Sequence, residues 1–122
     1  SDCRDVEEKV KNNDEMAKLA YDMYNDRIAH FIARYYIELE GKVDDIIFTA
    51  GVGENGVEVR KQVINRLKPL GIELNEDMNS KIASYLKIKE GIISSDNSKV
   101  EVMVLPTNEE IMIVKDTYDF IK

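Results

Sequence analysis

The sequence predicts an α/β fold: one βαβ unit with flanking helices and an incomplete sheet. Three observations predict it. Two short apolar runs, at 45–50 and 100–105, have the β-branched character of buried strands. A helical pattern from Val57 onward separates them, as a crossover between parallel strands requires. The first 40 residues carry helical periodicity and no strand.

Taken in order, residues 1–12 are polar and read as a short helix entered from a loop. Residues 14–40 form the longest periodic segment. Ala17, Ala20, Tyr21, Tyr24, Ile28, Phe31, Ile32, Tyr35 and Leu39 recur at steps of three and four. Asn13 or Asp14 is the expected N-cap, and Gly41 the expected C′ residue. The strand at 45–50 runs into Ala50-Gly51-Val52-Gly53-Glu54-Asn55-Gly56, a glycine-rich turn. A helix over 57–69 follows, its apolar face made by Val59, Val63, Ile64 and Leu67, with Pro69 and Gly71 closing it. Ile72 and Leu74 are extended. Asn75 caps a shorter helix over 76–86. Residues 91–95 make a brief strand, and Asp96-Asn97-Ser98 a turn. After the strand at 100–105 and Pro106, residues 107–121 read as a helix with Ile111, Val114, Tyr118 and Ile121 on one face.

Two good strands and a brief one make a narrow sheet, whereas parallel strands are normally covered on both faces and flanked by others. The expectation is a single partial domain over 1–122, the end of a larger α/β domain. A strand edge at 45–50 or 100–105 would then lie unpaired and favour self-association or strand exchange.

Composition narrows the partners. With 17 basic and 24 acidic residues the net charge is -7. Such a chain has no basic field to replace the counterions of nucleic acid or to seek an anionic membrane. A nucleotide is not excluded, because it needs only a local cation and a metal. Cys3 is the one cysteine, so no disulfide framework and no thiolate metal cluster can form within the chain. That usage fits a reducing cytoplasm. No apolar run has the length of a membrane span, and the first residues are not a signal peptide.

Strand, glycine turn, helix is how an α/β sheet offers backbone N–H groups to a ligand at the strand's carboxyl end. Gly51 and Gly53 lack the third glycine of a dinucleotide fingerprint, and no Walker lysine follows. By spacing alone the segment is either a ligand loop or a tight turn. A second candidate is Leu105-Pro106-Thr107-Asn108-Glu109-Glu110. Thr107 and Glu110 suit a capping box. Glu109 is left free to face the same rim as the glycine turn, as a solvated carboxylate or as a ligand of hydrated Mg²⁺. His30, the single histidine, reads as a surface residue. The tyrosines at 21, 24, 35 and 36 read as core or interface.

Three segments together resemble the acetate kinase family, also called the acetokinase family. They are Ser1-Asp2-Cys3-Arg4-Asp5, Phe48-Thr49-Ala50-Gly51-Val52-Gly53-Glu54-Asn55 with Glu58-Val59-Arg60, and Pro106-Thr107-Asn108-Glu109-Glu110. Leu70-Gly71-Ile72-Glu73-Leu74 and Lys115-Asp116-Thr117-Tyr118 resemble it too, in the family's order. The resemblance covers essentially the whole chain. It is to the C-terminal part of the family's proteins, roughly their last third. Val52 stands where isoleucine is usual, a change that keeps volume and branching.

The resemblance implies a ribonuclease H-like, actin-like ATPase domain, here partial. It implies phosphoryl transfer from ATP to acetate, giving ADP and acetyl phosphate, with Mg²⁺, in a cytoplasmic homodimer. Propionate and butyrate kinases belong to the same group. It implies nucleotide-binding roles for Asp2, Cys3, Arg4, Gly51, Val52, Gly53, Glu54 and Asn55, and a metal role for Glu109. It assigns no catalytic residue to this chain. The family's N-terminal domain, its phosphoryl-stabilising histidine and arginine residues and its phosphate-binding hairpin fall outside the matching segments. The isolated 122 residues are therefore expected to be inactive. The alternative is a non-catalytic interaction or dimerisation module, its long helix an interface.

Overall fold

The computed structural model describes residues 2–12, 14–106 and 111–114. Helix α1 (Asp2–Lys11) packs against α2 (Glu15–Glu38), and Tyr21 Oη donates to Glu7 Oε1 at 3.4 Å between them. Asp14 is the N-cap of α2, its Oδ1 accepting from Ala17 N at 3.0 Å. The C-terminal end differs from expectation by one residue. Glu40, not Gly41, occupies the left-handed C′ position, at φ 57°. Glu40 N–H bonds Ile37 O and Gly41 N–H bonds Tyr36 O, each at 2.9 Å. That double pattern is a Schellman motif, and the glycine sits one step further on.

Strand β1 (Asp45–Thr49) follows, then the irregular helix α3 (Ala50–Asn55) and α4 (Val57–Asn65). A 3₁₀ turn at Lys68–Leu70 ends in Gly71 at φ 80°. Helix α5 (Glu76–Ser80) is shorter than the expected 76–86; its cap is Asn75, whose Oδ1 accepts from Met78 N at 3.1 Å. Strands β2 (Gly91–Ile92) and β3 (Glu101–Leu105) complete the expected order.

With a fourth strand, β4 (Ile111–Val114), the sheet order is β2-β3-β1-β4, and β1 and β3 are parallel in the register Ile46↔Val102 and Phe48↔Val104. Ile46, Phe48, Val102 and Val104 bury one face against Val59, Val63, Ile64 and Leu67 of the α4 region and Ile32 of α2. Removing that apolar area from water drives the packing, at about 1.5–3 kcal/mol for each fully buried large side chain. On β3 the alternate residues Met103 and Leu105 stay half-buried.

Two expectations are corrected. Ile111–Val114 forms strand β4 and not the middle of a helix. It runs antiparallel to β1, with Ile46 opposite Ile113 and Phe48 opposite Ile111. Three of its four residues are β-branched, and the edge of β1 offers ladder partners that outweigh a weak helical period. Pairing therefore covers the β1 edge that was expected to lie open. The rest of the 107–121 segment lies outside the described residues. On α2, the expected apolar face splits: Ala17, Tyr21 and Ile32 are buried, whereas Ala20, Tyr24, Phe31 and Tyr35 reach solvent.

Candidate functional site

The carboxyl ends of β1 and β3 lie side by side, Thr49 opposite Leu105. Beyond Thr49 the chain turns sharply. Ala50 takes φ 54°, and Gly51 takes φ 26° and ψ -112°, a conformation that side chains resist. The turn then tightens into α3 and hands over to α4 at Gly56, whose N–H bonds Val52 O at 2.7 Å. A Cβ on Gly56 would come within 2.6 Å of that same carbonyl, so the close handover needs glycine.

This turn forms one wall of a cavity of about 330 Å³. Phe48 through Gly53 line it on the side of the turn. Tyr24 and Ile28, one helical turn apart on α2, and Val59 on α4 supply apolar side chains. The arrangement joins an apolar slot to a strained backbone bend at a sheet's carboxyl end, the usual setting for a ligand in an open α/β sheet.

The turn is fixed from behind by Arg60. Arg60 is fully buried, between Val59 and Val63 on the apolar side of α4. Its Nη1 donates to Gly53 O and Glu54 O, each at 3.0 Å. Its Nε donates to Asn79 Oδ1 at 2.8 Å, and Nη2 to Asn79 O at 3.0 Å and Ile82 O at 2.6 Å. All five donors are met by uncharged oxygens. Burial pulls the guanidinium pKa down to about 10, so it stays charged at neutral pH. Sequence reasoning assigned Arg60 no role. The available signal was an arginine inside the apolar stripe of Val59, Val63, Ile64 and Leu67.

The remaining sequence-derived residues fall as follows. Gly51 is exposed and Gly53 buried, with Val52 and Glu54 between these extremes. Asn55 does not offer its carbonyl to a ligand: Asn55 Oδ1 accepts from Ser84 N at 3.1 Å and from Ser84 Oγ. Asp2, Cys3 and Arg4 lie in the first turn of α1, Arg4 exposed. Among the described residues, none of those lining the cavity comes from α1. Glu109 lies outside the described residues. Among the described residues no group of three or more His, Cys, Asp or Glu is arranged to hold a metal. His30 sits on the surface of α2 with Nδ1 3.2 Å from Asp26. No described helix is long and apolar enough to cross a membrane.

The sequence profile of the acetokinase family matches residues 1–115. The chain belongs to that family. It is 46% identical over 121 residues to the acetate kinase of Carboxydothermus hydrogenoformans, covering 99% of this chain and 29% of that one. It is 48% identical over 116 residues to acetate kinase 2 of Lactococcus lactis, covering 95% of this chain and 28% of that one. Among solved structures, a propionate kinase from Francisella tularensis superposes with a TM-score of 0.75 at 37% identity, over 88% of this chain and 26% of that one. The chain thus spans less than a third of the length of the family members it matches. The family's mixed α/β architecture is the one seen here, as a small and incomplete sheet.

Proposed function

We propose that the chain is the C-terminal third of an acetate kinase and supplies part of its nucleotide site. The cavity at the carboxyl end of β1 carries this reading. Its apolar lining suits a flat base, and a glycine turn at a strand's carboxyl end is the kind of bend that offers backbone N–H groups to phosphate oxygens. In the parent enzyme, Gly51 to Asn55 would lie beside the adenosine and its phosphates, and Asp2, Cys3 and Arg4 would extend the nucleotide site. Because Asn55 Oδ1 is held by Ser84, its part is to pin the turn.

The reaction is transfer of the γ-phosphoryl group of ATP. An acetate oxygen attacks the γ-phosphorus, the bond to the β,γ-bridging oxygen breaks, and ADP leaves with the electron pair. Catalysis of this kind is mostly positioning and charge neutralisation. Magnesium takes one or two carboxylates together with phosphate and water oxygens. The rim suits it: Glu54 lies on the turn, and β3 ends beside Thr49 before leading to Glu109. Glu109 is the proposed metal carboxylate. When bound, the ion supplies neutralisation of β- and γ-phosphate charge.

By the family resemblance the acid pocket and the cationic clamp belong to parts of the parent outside this chain, so the chain alone binds nucleotide at most and does not catalyse. The test is titration of the ¹⁵N-labelled chain with ADP, with a coupled assay for acetyl phosphate. Shifts centred on Gly51 and Gly53 without product formation are expected. Product formation by the chain alone would overturn the inactive assignment, and shifts scattered away from the turn would overturn the cradle.

A second reading concerns assembly. Met16, Leu19, Met23 and Ile37 are large apolar residues exposed on α2, from 54% to 76%. Their number on one helix favours an interface role, in a cytoplasmic homodimer of the parent enzyme. Sedimentation of the full-length enzyme with Met23→Lys checks it; an unaltered dimer would remove this role. The site does not discriminate acetate from propionate or butyrate, whose pocket we place elsewhere in the parent.

A further inference from the structure

We infer that Arg60 is the positioning residue of the nucleotide turn, an inference that rests on the nucleotide-site reading above. Three observations carry it. The guanidinium is fully buried and all its donors are used, so it has no freedom to reach a ligand itself. Two of the five acceptors, Gly53 O and Glu54 O, belong to the turn, and Gly53 itself lines the cavity. The other three belong to Asn79 and Ile82, at and just beyond the end of α5.

Arg60 therefore ties the back of the turn to a part of the fold some twenty residues away in sequence. Carbonyls at the ends of two short helices converge on it, and a cation is the group that such ends stabilise. Among the described residues no carboxylate bonds to it. A structural arginine is cheapest to bury with a carboxylate partner, because an unpaired ion keeps most of its desolvation cost. Here the partner is replaced by backbone, and the backbone chosen is the turn itself. Asn79 is the second member of the clamp. Its Oδ1 orients Nε, and its Nδ2 donates to Val57 O at 3.0 Å, just after the turn.

The geometry explains why the strained pair Ala50 and Gly51 holds its shape. Strain at that bend persists only where the surroundings over-determine it, and α3 is anchored at its far end by two charge-assisted bonds. Lysine cannot replace the fork, since one ammonium cannot reach carbonyls on both sides at once.

The experiment uses the full-length enzyme carrying this segment, as wild type, Arg60→Lys and Asn79→Ser. The readouts are KM for ATP, KM for acetate, kcat and thermal midpoint. Arg60→Lys is expected to raise KM for ATP at least about tenfold, as loss of one charge-assisted bond in the turn would give. KM for acetate should stay within about twofold, because the acid pocket is elsewhere. Asn79→Ser retains four of the five bonds and is the variant that keeps the fold if Arg60→Lys does not. It should raise KM for ATP about threefold in the same direction. A lowered thermal midpoint with unchanged KM for ATP in either soluble variant would make Arg60 purely structural and overturn the inference. Equal changes in both KM values would do the same. A wild-type enzyme with no ATP-dependent transfer would instead bring down the nucleotide-site reading, and this inference with it.

Discussion

Asp45 and Glu101 stand opposite each other across the parallel register of β1 and β3. Asp45 is half-buried, its Oδ1 shielded and, among the described residues, without a hydrogen-bond partner. Burial first, and then the neighbouring Glu101 carboxylate, push the Asp45 pKa from an ordinary 3.8 to about 6. The folded state therefore holds a proton that the unfolded chain has already released between pH 4 and 6. In that window the native state binds more protons, so stability falls as pH rises, and levels off above 6.

Asp45→Asn should remove this dependence and raise stability at pH 7. Solvent screening at a partly exposed site limits the gain to about 1 kcal/mol. Urea unfolding at pH 4.5 and 7.5 measures it. Equal pH slopes for variant and wild type would refute the assignment.

The bend at Gly51 gives a second prediction. A Cβ there would meet no atom of the described residues within 4 Å, so among them space is not the obstacle. The backbone is: φ 26° with ψ -112° lies outside the regions open to L side chains. Gly51→Ala should destabilise the chain by about 1–2 kcal/mol or re-shape the turn. Either way ADP-induced amide shifts at Val52 and Gly53 should shrink. Unfolding curves and titrations indistinguishable from wild type would show that the bend carries no strain.

The βαβ core was legible because β1 and β3 are short apolar runs rich in β-branched residues and α4 between them carries a helical period. Asn75 and the choice of Asn13 or Asp14 were readable as N-caps from residue type, and the α4 face from its spacing. What escaped notice depends on long-range partners. Ile111–Val114 has a helical spacing and a β-branched composition, and only the open edge of β1 decides between them. The apolar face of α2 was drawn too wide, because a helix apolar on several sides does not say which side meets the core. The candidate site was half legible. The glycine turn announced itself, but neither its hold by Arg60 nor the capture of Asn55 by Ser84 has a sequence period, since Arg60 reaches Asn79 and Ile82 through the fold.

Asn25 gives a third prediction. It is fully buried on α2, and among the described residues neither its Oδ1 nor its Nδ2 has a hydrogen-bond partner. A buried unsatisfied amide costs about 1–3 kcal/mol. Asn25→Ala deletes both orphan atoms and adds helix propensity of about 0.6 kcal/mol, against some lost packing. The expected net gain is about 1 kcal/mol, or roughly 4 °C in Tm. A lower Tm would show that the amide is satisfied, for instance by an internal water.

The edge of β1 gives the last prediction. In the chain as it stands, β4 supplies the second neighbour that a central strand needs, with Ile46, Ile47 and Phe48 each paired to a β4 residue. An unpaired edge this apolar would be a template for another molecule. Met112→Pro together with Ile113→Pro removes two consecutive N–H donors, so whichever of them faces β1 is lost. Hydrogen exchange at those β1 amides that face β4 should then accelerate by at least about tenfold, as loss of about 1.4 kcal/mol of local protection gives. Amides facing β3 should keep their protection, because the parallel register with Val102 and Val104 is untouched. At raised concentration the variant should sediment as larger species than wild type. Unchanged exchange across β1 and unchanged sedimentation would mean that β4 does not guard this edge in solution.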